Sequence, residues 1–154
     1  RRAAAFKRKR WDRNDQVEPS SVLKPILMCR QFDENESALL SNDTRMAWHR
    51  LTTGEGNQDD FDLLANSSNV ALVRAESLGE VAVETVLRAQ AAIVAMKARY
   101  QRTGRFGADA AALQDVPLMM DFYDQLLAYG SPQIMTDALT EVVERINLQR
   151  TAAA

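Results

Sequence analysis

The residues best suited to chemistry in this chain lie near its start. Lys7, Arg8, Lys9 and Arg10 form an unbroken basic run, followed by Trp11 and Arg13 and preceded by Phe6. Lys and Arg side chains neutralise phosphates and release counterions, and an interleaved aromatic ring can stack on a base. Lys7, Arg8, Lys9, Arg10, Trp11 and Arg13 are therefore the candidate contacts to nucleic acid or, through charge alone, to an acidic partner surface. The rest of the chain sharpens the contrast. Residues 1–13 hold seven basic residues against Asp12 alone, whereas the remainder holds 12 basic and 20 acidic residues. The formal net charge of −2 thus conceals a basic arm on an acidic body. Such an arm has two other uses: docking on its own body, or exchange between copies of a homo-oligomer.

Weaker candidates lie further along. His49 is the only histidine and sits beside Trp48, and an imidazole suits general acid–base work near neutral pH. Asp43 stands six residues before it, a poor helical spacing for contact, with Asp59 and Asp60 as further candidates to orient it. A structural role is the better reading. Asp59, Asp60 and Asp62 resemble a divalent-metal cluster, but adjacent acids diverge on a helix, and the positive end of the helix dipole already accounts for them. Cys29 has no visible base to activate it, which favours a buried apolar role. Thr103-Gly104-Arg105-Phe106-Gly107 has the glycines of a phosphate loop without the full pattern, and it follows a helix where a nucleotide loop follows a strand. It reads as a connector. Met119, Met120 and Met135 with Phe122, Tyr123 and Tyr129 would make an adaptable binding face, with core packing the more economical use. One Cys and one His cannot build a Cys/His zinc site within one chain. No metal or cofactor is expected, and the chain reads as a non-enzyme that acts by binding.

The elements that must position these residues are helical. Six glycines and four prolines in 154 residues suit long helices better than many short strands. A single domain of this length can bury a core without disulfides. The organising stretch is Glu80–Thr103, bounded by Gly79 and Gly104, with Val83, Val86, Leu87, Ile93, Val94 and Tyr100 at three- and four-residue steps among alanines. It is expected to be the central helix.

Ahead of it, residues 1–15 form the basic arm and residues 16–33 an extended strap. Pro19 and Pro25 disfavour helix in that strap, and Val22, Leu23, Ile26, Leu27 and Met28 suit it to lie across the bundle. A first helix is placed at Glu34–Thr53, capped by Asp33 or Asn35, with Leu39, Leu40, Ala47, Trp48 and Leu51 inward and a possible break at residues 41–44. A second covers Gln58–Ser77, with Phe61, Leu64, Ala65, Leu72 and Val73 inward and Asn66-Ser67-Ser68-Asn69 interrupting the pattern. A fourth runs from about Asp109 to Tyr129, its firm part starting at Val116 with Asp115 as cap because of Pro117, and with Leu118, Met119, Phe122, Leu126 and Tyr129 on its apolar face. Gly130, expected in the left-handed region, precedes the Ser131 cap of a fifth helix at Pro132–Gln149, with Met135, Leu139, Val142 and Ile146 inward. The bundle domain is 34–150 and residues 151–154 form a tail.

No stretch is apolar enough to cross a membrane, since even Glu80–Thr103 carries Glu84, Arg88, Lys97 and Arg99. No secretory signal is visible, because the basic start runs into the polar Trp11–Pro19. A lone cysteine fits a reducing, cytoplasmic setting. Arg1 in first position is consistent with further sequence upstream.

The runs Ala98-Arg99-Tyr100-Gln101-Arg102-Thr103-Gly104-Arg105-Phe106, Tyr123-Asp124-Gln125-Leu126 and Ala138 to Ile146 (ALTEVVERI) resemble small helical proteins of proteobacterial phages and plasmids. Those proteins tend to open with a Lys/Arg-rich, proline-containing segment, as Lys7–Arg10 and Lys24-Pro25 do here. The resemblance covers about two-thirds of the chain and implies a mobile-element setting without any assigned activity or functional residue. The reading as a whole is an all-α bundle of four to five helices behind a basic arm and a proline-containing strap. Its function would be that of an accessory or regulatory binding protein. The alternative is a protein–protein module, such as an inhibitor of a host protein or a self-assembling subunit.

Overall fold

A computed structural model describes residues 31–153, and these form five helices: α1 (Glu34–Thr53), α2 (Gln58–Glu76), α3 (Glu80–Thr103), α4 (Ala110–Tyr129) and α5 (Pro132–Ala152). No strand occurs among the described residues. The all-α class expected from the sequence holds. The arm and the strap up to Arg30 lie outside the described residues; at the strap's end, Phe32 is half-buried against the core.

Local chemistry sets the helix ends. Asp33 accepts a hydrogen bond from the Glu36 backbone N–H at 2.7 Å, and the Glu36 carboxylate accepts one from the Asp33 N–H at 3.1 Å. Asn57 and Asp60 make the same reciprocal pair at the start of α2. Each pair satisfies two N–H groups that the first turn would otherwise leave without partners. Ser131 accepts from the Ile134 N–H at 3.2 Å, with Pro132 next in the chain. Gly54 and Gly104 end α1 and α3 at φ 83° and 71°, the left-handed region that glycine enters without strain.

Cross-helix contacts fix the topology. Arg50 meets Asp60 and Thr44 meets Ser67, so α1 and α2 are antiparallel. Gln90 donates to Asn69 and Lys97 to Gln58, which sets α3 antiparallel to α2. Arg99 meets Asp109 and Arg88 meets Asp115 across α3 and α4. Finally, the Ser37 hydroxyl donates to the Leu127 carbonyl at 3.2 Å, closing α4 onto α1. The first four helices thus make an up-down-up-down bundle, and α5 packs on α2 outside it.

The centre of this arrangement is α2. It touches all four other helices, whereas Glu80–Thr103, the expected central helix, touches only α2 and α4. The polar residues that looked like interruptions explain this. Thr44, Ser67 and Ser68 are all buried. The Thr44 and Ser67 hydroxyls lie 3.1 Å apart, and each is also within hydrogen-bond distance of a carbonyl one turn earlier in its own helix, so their two protons are shared among three contacts. Small hydroxyls satisfied in this way let neighbouring helices approach α2 closely. The expected break in α1 at residues 41–44 does not occur.

Several expected inner stripes are displaced. Leu39 and Leu40 of α1, Leu87 and Val94 of α3, Leu118 and Tyr129 of α4 and Leu139 of α5 are exposed. Val86 and Ile93 of α3 and Met119 of α4 are buried as expected, joined by Ala89, Ala92 and Met96 in α3 and by Val116, Met120, Tyr123 and Leu127 in α4. Ala89, Ala92, Ala112 and Ala138 take core places that apolar bulk alone would assign to larger residues.

Two boundaries also differ from expectation. The fourth helix spans Ala110–Tyr129, close to the expected outer range, but it is regular from its first turn rather than from Val116, with Asp109 as its cap and Pro117 inside it. The Asp109 carboxylate accepts from the Ala112 N–H at 2.9 Å and from Arg99 at 2.8 Å, so α3 anchors a first turn that the proline alone would discourage. Asp115, the expected cap, faces Arg88 instead. Gly130 is extended, at φ −86°, ψ 172°, rather than left-handed. Glycine is needed there for space, because a Cβ would stand 2.3 Å from the Leu126 carbonyl oxygen. At the far end, α5 runs past Gln149 to Ala152.

Candidate binding surfaces on an acidic body

The candidate contacts Lys7, Arg8, Lys9, Arg10, Trp11 and Arg13 lie outside the described residues, as does Cys29. The structure instead shows what kind of body they are attached to. Residues 31–153 hold ten basic and 18 acidic residues. Five of the ten cations are committed to ion pairs within the bundle, namely Arg45, Arg50, Arg88, Arg99 and Arg145. Arg45 clamps Asp121 at 2.8 Å and Asp124 at 2.9 Å, tying α1 to α4. Arg145 grips Glu76 with two nitrogens, at 2.8 and 2.6 Å, and also bonds Glu141 in its own helix, which holds α5 against the end of α2.

These pairs shift the ionisation of their members. The Arg50 guanidinium, with the Asn57 N–H behind it, holds Asp60 below the usual carboxylate range against the opposing effect of burial. Arg145 does the same to Glu76. Asp109 is lowered first by the Ala112 N–H and then by Arg99. The Tyr123 hydroxyl is pushed up by burial, partly offset by its hydrogen bond to Ser67.

The other sequence candidates take structural places. His49 is exposed on the last turns of α1, where its carbonyl accepts from the Thr52 and Thr53 hydroxyls. Among the described residues no carboxylate is hydrogen-bonded or ion-paired to its ring. Of the three neighbouring acids, Asp60 is taken by Arg50 and Asp62 accepts from Gln58 at 2.6 Å. Among the described residues no group of three His, Cys, Asp or Glu side chains is placed to hold a metal.

The connector after α3 works as a plug. Phe106 is buried between Tyr100, with ring centroids 4.1 Å apart, and Phe61, at 5.4 Å. The Lys97 ammonium lies 5.0 Å from the Phe61 centroid and 5.4 Å from that of Tyr100. A glycine on each side lets this ring turn inward, and the buried rings present little face to a base. Met119, Met120 and Met135 are likewise core residues rather than a binding face.

Part of the exposed surface is apolar. Leu87, Ala91, Val94 and Ala98 form an exposed stripe on α3 at helical spacing. Between this helix and α5 runs a groove of about 720 Å³, with Phe61, Ile93, Lys97 and Gln149 among its walls. On the other side of α5 a smaller cavity of about 230 Å³ is bounded by Phe32, Leu40, Leu127 and Leu139. Among the described residues no helix is long and apolar enough to cross a membrane. No family model, no curated protein and no solved structure matches this chain.

Proposed function

We propose that this protein works by binding, with the N-terminal arm as its cationic contact and the helical bundle as its carrier. The division of charge carries the reading: residues 1–30 hold nine basic and three acidic residues, against ten and 18 in residues 31–153. Because half of the bundle's cations are already paired with its own acids, the acidic bundle is a poor surface for a polyanion, and the reading gives that contact to Lys7, Arg8, Lys9, Arg10 and Arg13, with Trp11 available to stack. The partner is nucleic acid, and an acidic protein surface would use the same residues. A phage or plasmid accessory or regulatory role belongs to the same proposal and has the helix-terminus and core runs noted above in its support.

The test is binding of DNA and RNA across a salt series by the intact chain and by a full-length variant with Lys7, Arg8, Lys9, Arg10 and Arg13 all changed to Gln. Each phosphate contact contributes about 0.9 to the slope of log affinity against log salt, so the slope should flatten by roughly four. An unchanged affinity and slope would remove the arm from the mechanism. The exposed Leu87–Ala91–Val94 stripe favours a second reading, assembly with another copy of this chain. A monomer in light scattering at high concentration counts against it.

A further inference from the structure

Among the described residues, four of the five most buried cations have a partner. Arg50 holds Asp60, Lys97 donates to Gln58, Arg99 donates to the Gly107 carbonyl and Asp109, and Arg145 holds Glu76 and Glu141. The fifth is Arg74, near the end of α2. Its side chain makes no hydrogen bond or ion pair, and its Nε is buried without a partner. Buried polar atoms in folded proteins are nearly always satisfied, and an orphaned donor on a cation calls for a group that supplies the missing acceptor.

Arg74 also lines a cavity. The space, about 280 Å³, lies where α2, the end of α4 and the start of α5 converge, and its walls include Phe122, Leu126, Ile134 and Met135, with Gln125 as a second polar side chain. No Asp or Glu lines it. A cation without a counterion, set in an apolar wall, matches a ligand that is itself divided into an anionic head and an apolar body. The volume falls just below the range of small-molecule sites, about 300 to 1,000 Å³, which limits the ligand to a compact one.

We propose that this cavity binds a small organic monocarboxylate. Its carboxylate meets the Arg74 guanidinium, and its compact aliphatic or aromatic body of about eight to ten carbons fills the space between α4 and α5. The terminal nitrogens of Arg74 have no ion pair or hydrogen bond among the described residues, and the planar guanidinium matches a carboxylate with two parallel hydrogen bonds. The site is separate from the N-terminal arm and does not depend on the arm's partner.

The experiment uses the full chain and four probes: octanoate, 1-octanol, 3-phenylpropionate and 3-phenyl-1-propanol. Binding is followed by amide chemical-shift changes in a nitrogen-labelled protein. The expected result is saturable shifts centred on Arg74, Phe122, Leu126 and Ile134, with each acid bound at least about tenfold tighter than its matched alcohol, the scale of one charge-assisted hydrogen bond. Octanoate binding better than phenylpropionate identifies an aliphatic ligand, and the reverse an aromatic one; both support the site. Arg74→Met, which replaces the orphaned cation with an apolar chain of similar length, should bring acid and alcohol to equal affinity while the helical spectrum is unchanged. Three outcomes overturn the proposal: no shifts in the lining residues at about 10 mM probe, beyond the Kd expected for ligands of this size; equal binding of acid and alcohol to the unaltered protein; or an acid preference that survives Arg74→Met. The first two need only the unaltered chain, so they stand even if the variant fails to fold.

Discussion

Helices α2 and α3 are antiparallel neighbours of 19 and 24 residues, and their places in the bundle are the reverse of what their compositions suggest. The middle of α3 is rich in alanine, valine and isoleucine, yet it contacts only two helices and leaves Leu87 and Val94 in solvent. The middle of α2 is Asn66-Ser67-Ser68-Asn69, yet it contacts four helices, with Ser67 and Ser68 buried. Size and hydrogen-bonding capacity explain the reversal. A helix surrounded on all sides needs small side chains where neighbours come closest, and a hydroxyl bonded to a carbonyl one turn earlier is both small and satisfied. Apolar bulk marks a helix that has one good face. It does not mark the helix that the others share.

The sharpest way to break this comparison is to make the same change in both helices. Leu64 of α2 is fully buried, while Leu87 of α3 is 48% exposed. Leu64→Ala should cost about 2–5 kcal/mol, from lost transfer energy and the cavity left at the point where the helices meet. Leu87→Ala should cost about 0.5 kcal/mol or less, as a surface change does. Urea unfolding of the two variants measures the difference. Equal losses, or a larger loss at Leu87, would return α3 to the centre.

Acid offers a second separation, of intermediate size. Two of the carboxylates lowered in the folded state, Asp60 and Glu76, stand at opposite ends of α2. A carboxylate whose pKa is depressed by folding stabilises the fold fully above its unfolded value, near 4, and loses that contribution as the pH falls through the folded value, because the unfolded chain takes up the proton first. Stability should therefore hold down to about pH 5 and decline below it. Asp60→Asn keeps the side chain's size and removes the charge that Arg50 meets, so it should cost about 1 kcal/mol at neutral pH and flatten the decline at low pH. Glu84→Gln removes an exposed i,i+4 pair with Arg88 on α3 and should change stability by about 0.5 kcal/mol or less. Denaturant midpoints measured from pH 7 to pH 3 decide the matter. A decline as steep in Asp60→Asn as in the unaltered chain would place the acid sensitivity elsewhere.

The all-α class and most helix starts were legible in the sequence because capping is local chemistry. Asp33, Asn57 and Ser131 each act within three residues of themselves. The outer limit of α4 near Asp109 was legible, but the regularity of its first turn and the identity of its cap were not. Its first turn is held by Arg99 from another helix, and a reading limited to neighbours sees only Pro117. The hub was illegible for a related reason: hydrophobic periodicity scores Ser67 as a gap, and only the partners Thr44 and Tyr123, 23 and 56 positions away, make it a core residue. Of the candidate sites, the arm was evident from charge alone and lies outside the described residues. Arg74 passed unnoticed, although a signal was present. Val70, Ala71, Ser77 and Leu78 occupy its i±3 and i±4 positions, so no helical neighbour can neutralise it, whereas Arg88 has Glu84 and Arg145 has Glu141.

The smallest expected effect tests the outer face of α3 directly. Val94 is 68% exposed and belongs to the stripe with Leu87, Ala91 and Ala98. In an isolated bundle, Val94→Lys exchanges a β-branched residue for a better helix former and puts its charge in water, so stability should change by about 0.5 kcal/mol or less and shift, if at all, upward. If α3 instead meets a second copy, the same lysine is buried in an apolar contact, and the molecular mass in solution falls from dimer to monomer. Sedimentation of the two proteins at matched concentration separates these cases. A loss of more than about 2 kcal/mol without any change in mass would mean that Val94 is packed against something within its own chain. The outer face of α3 would then be part of the core, and the contrast with α2 would no longer hold.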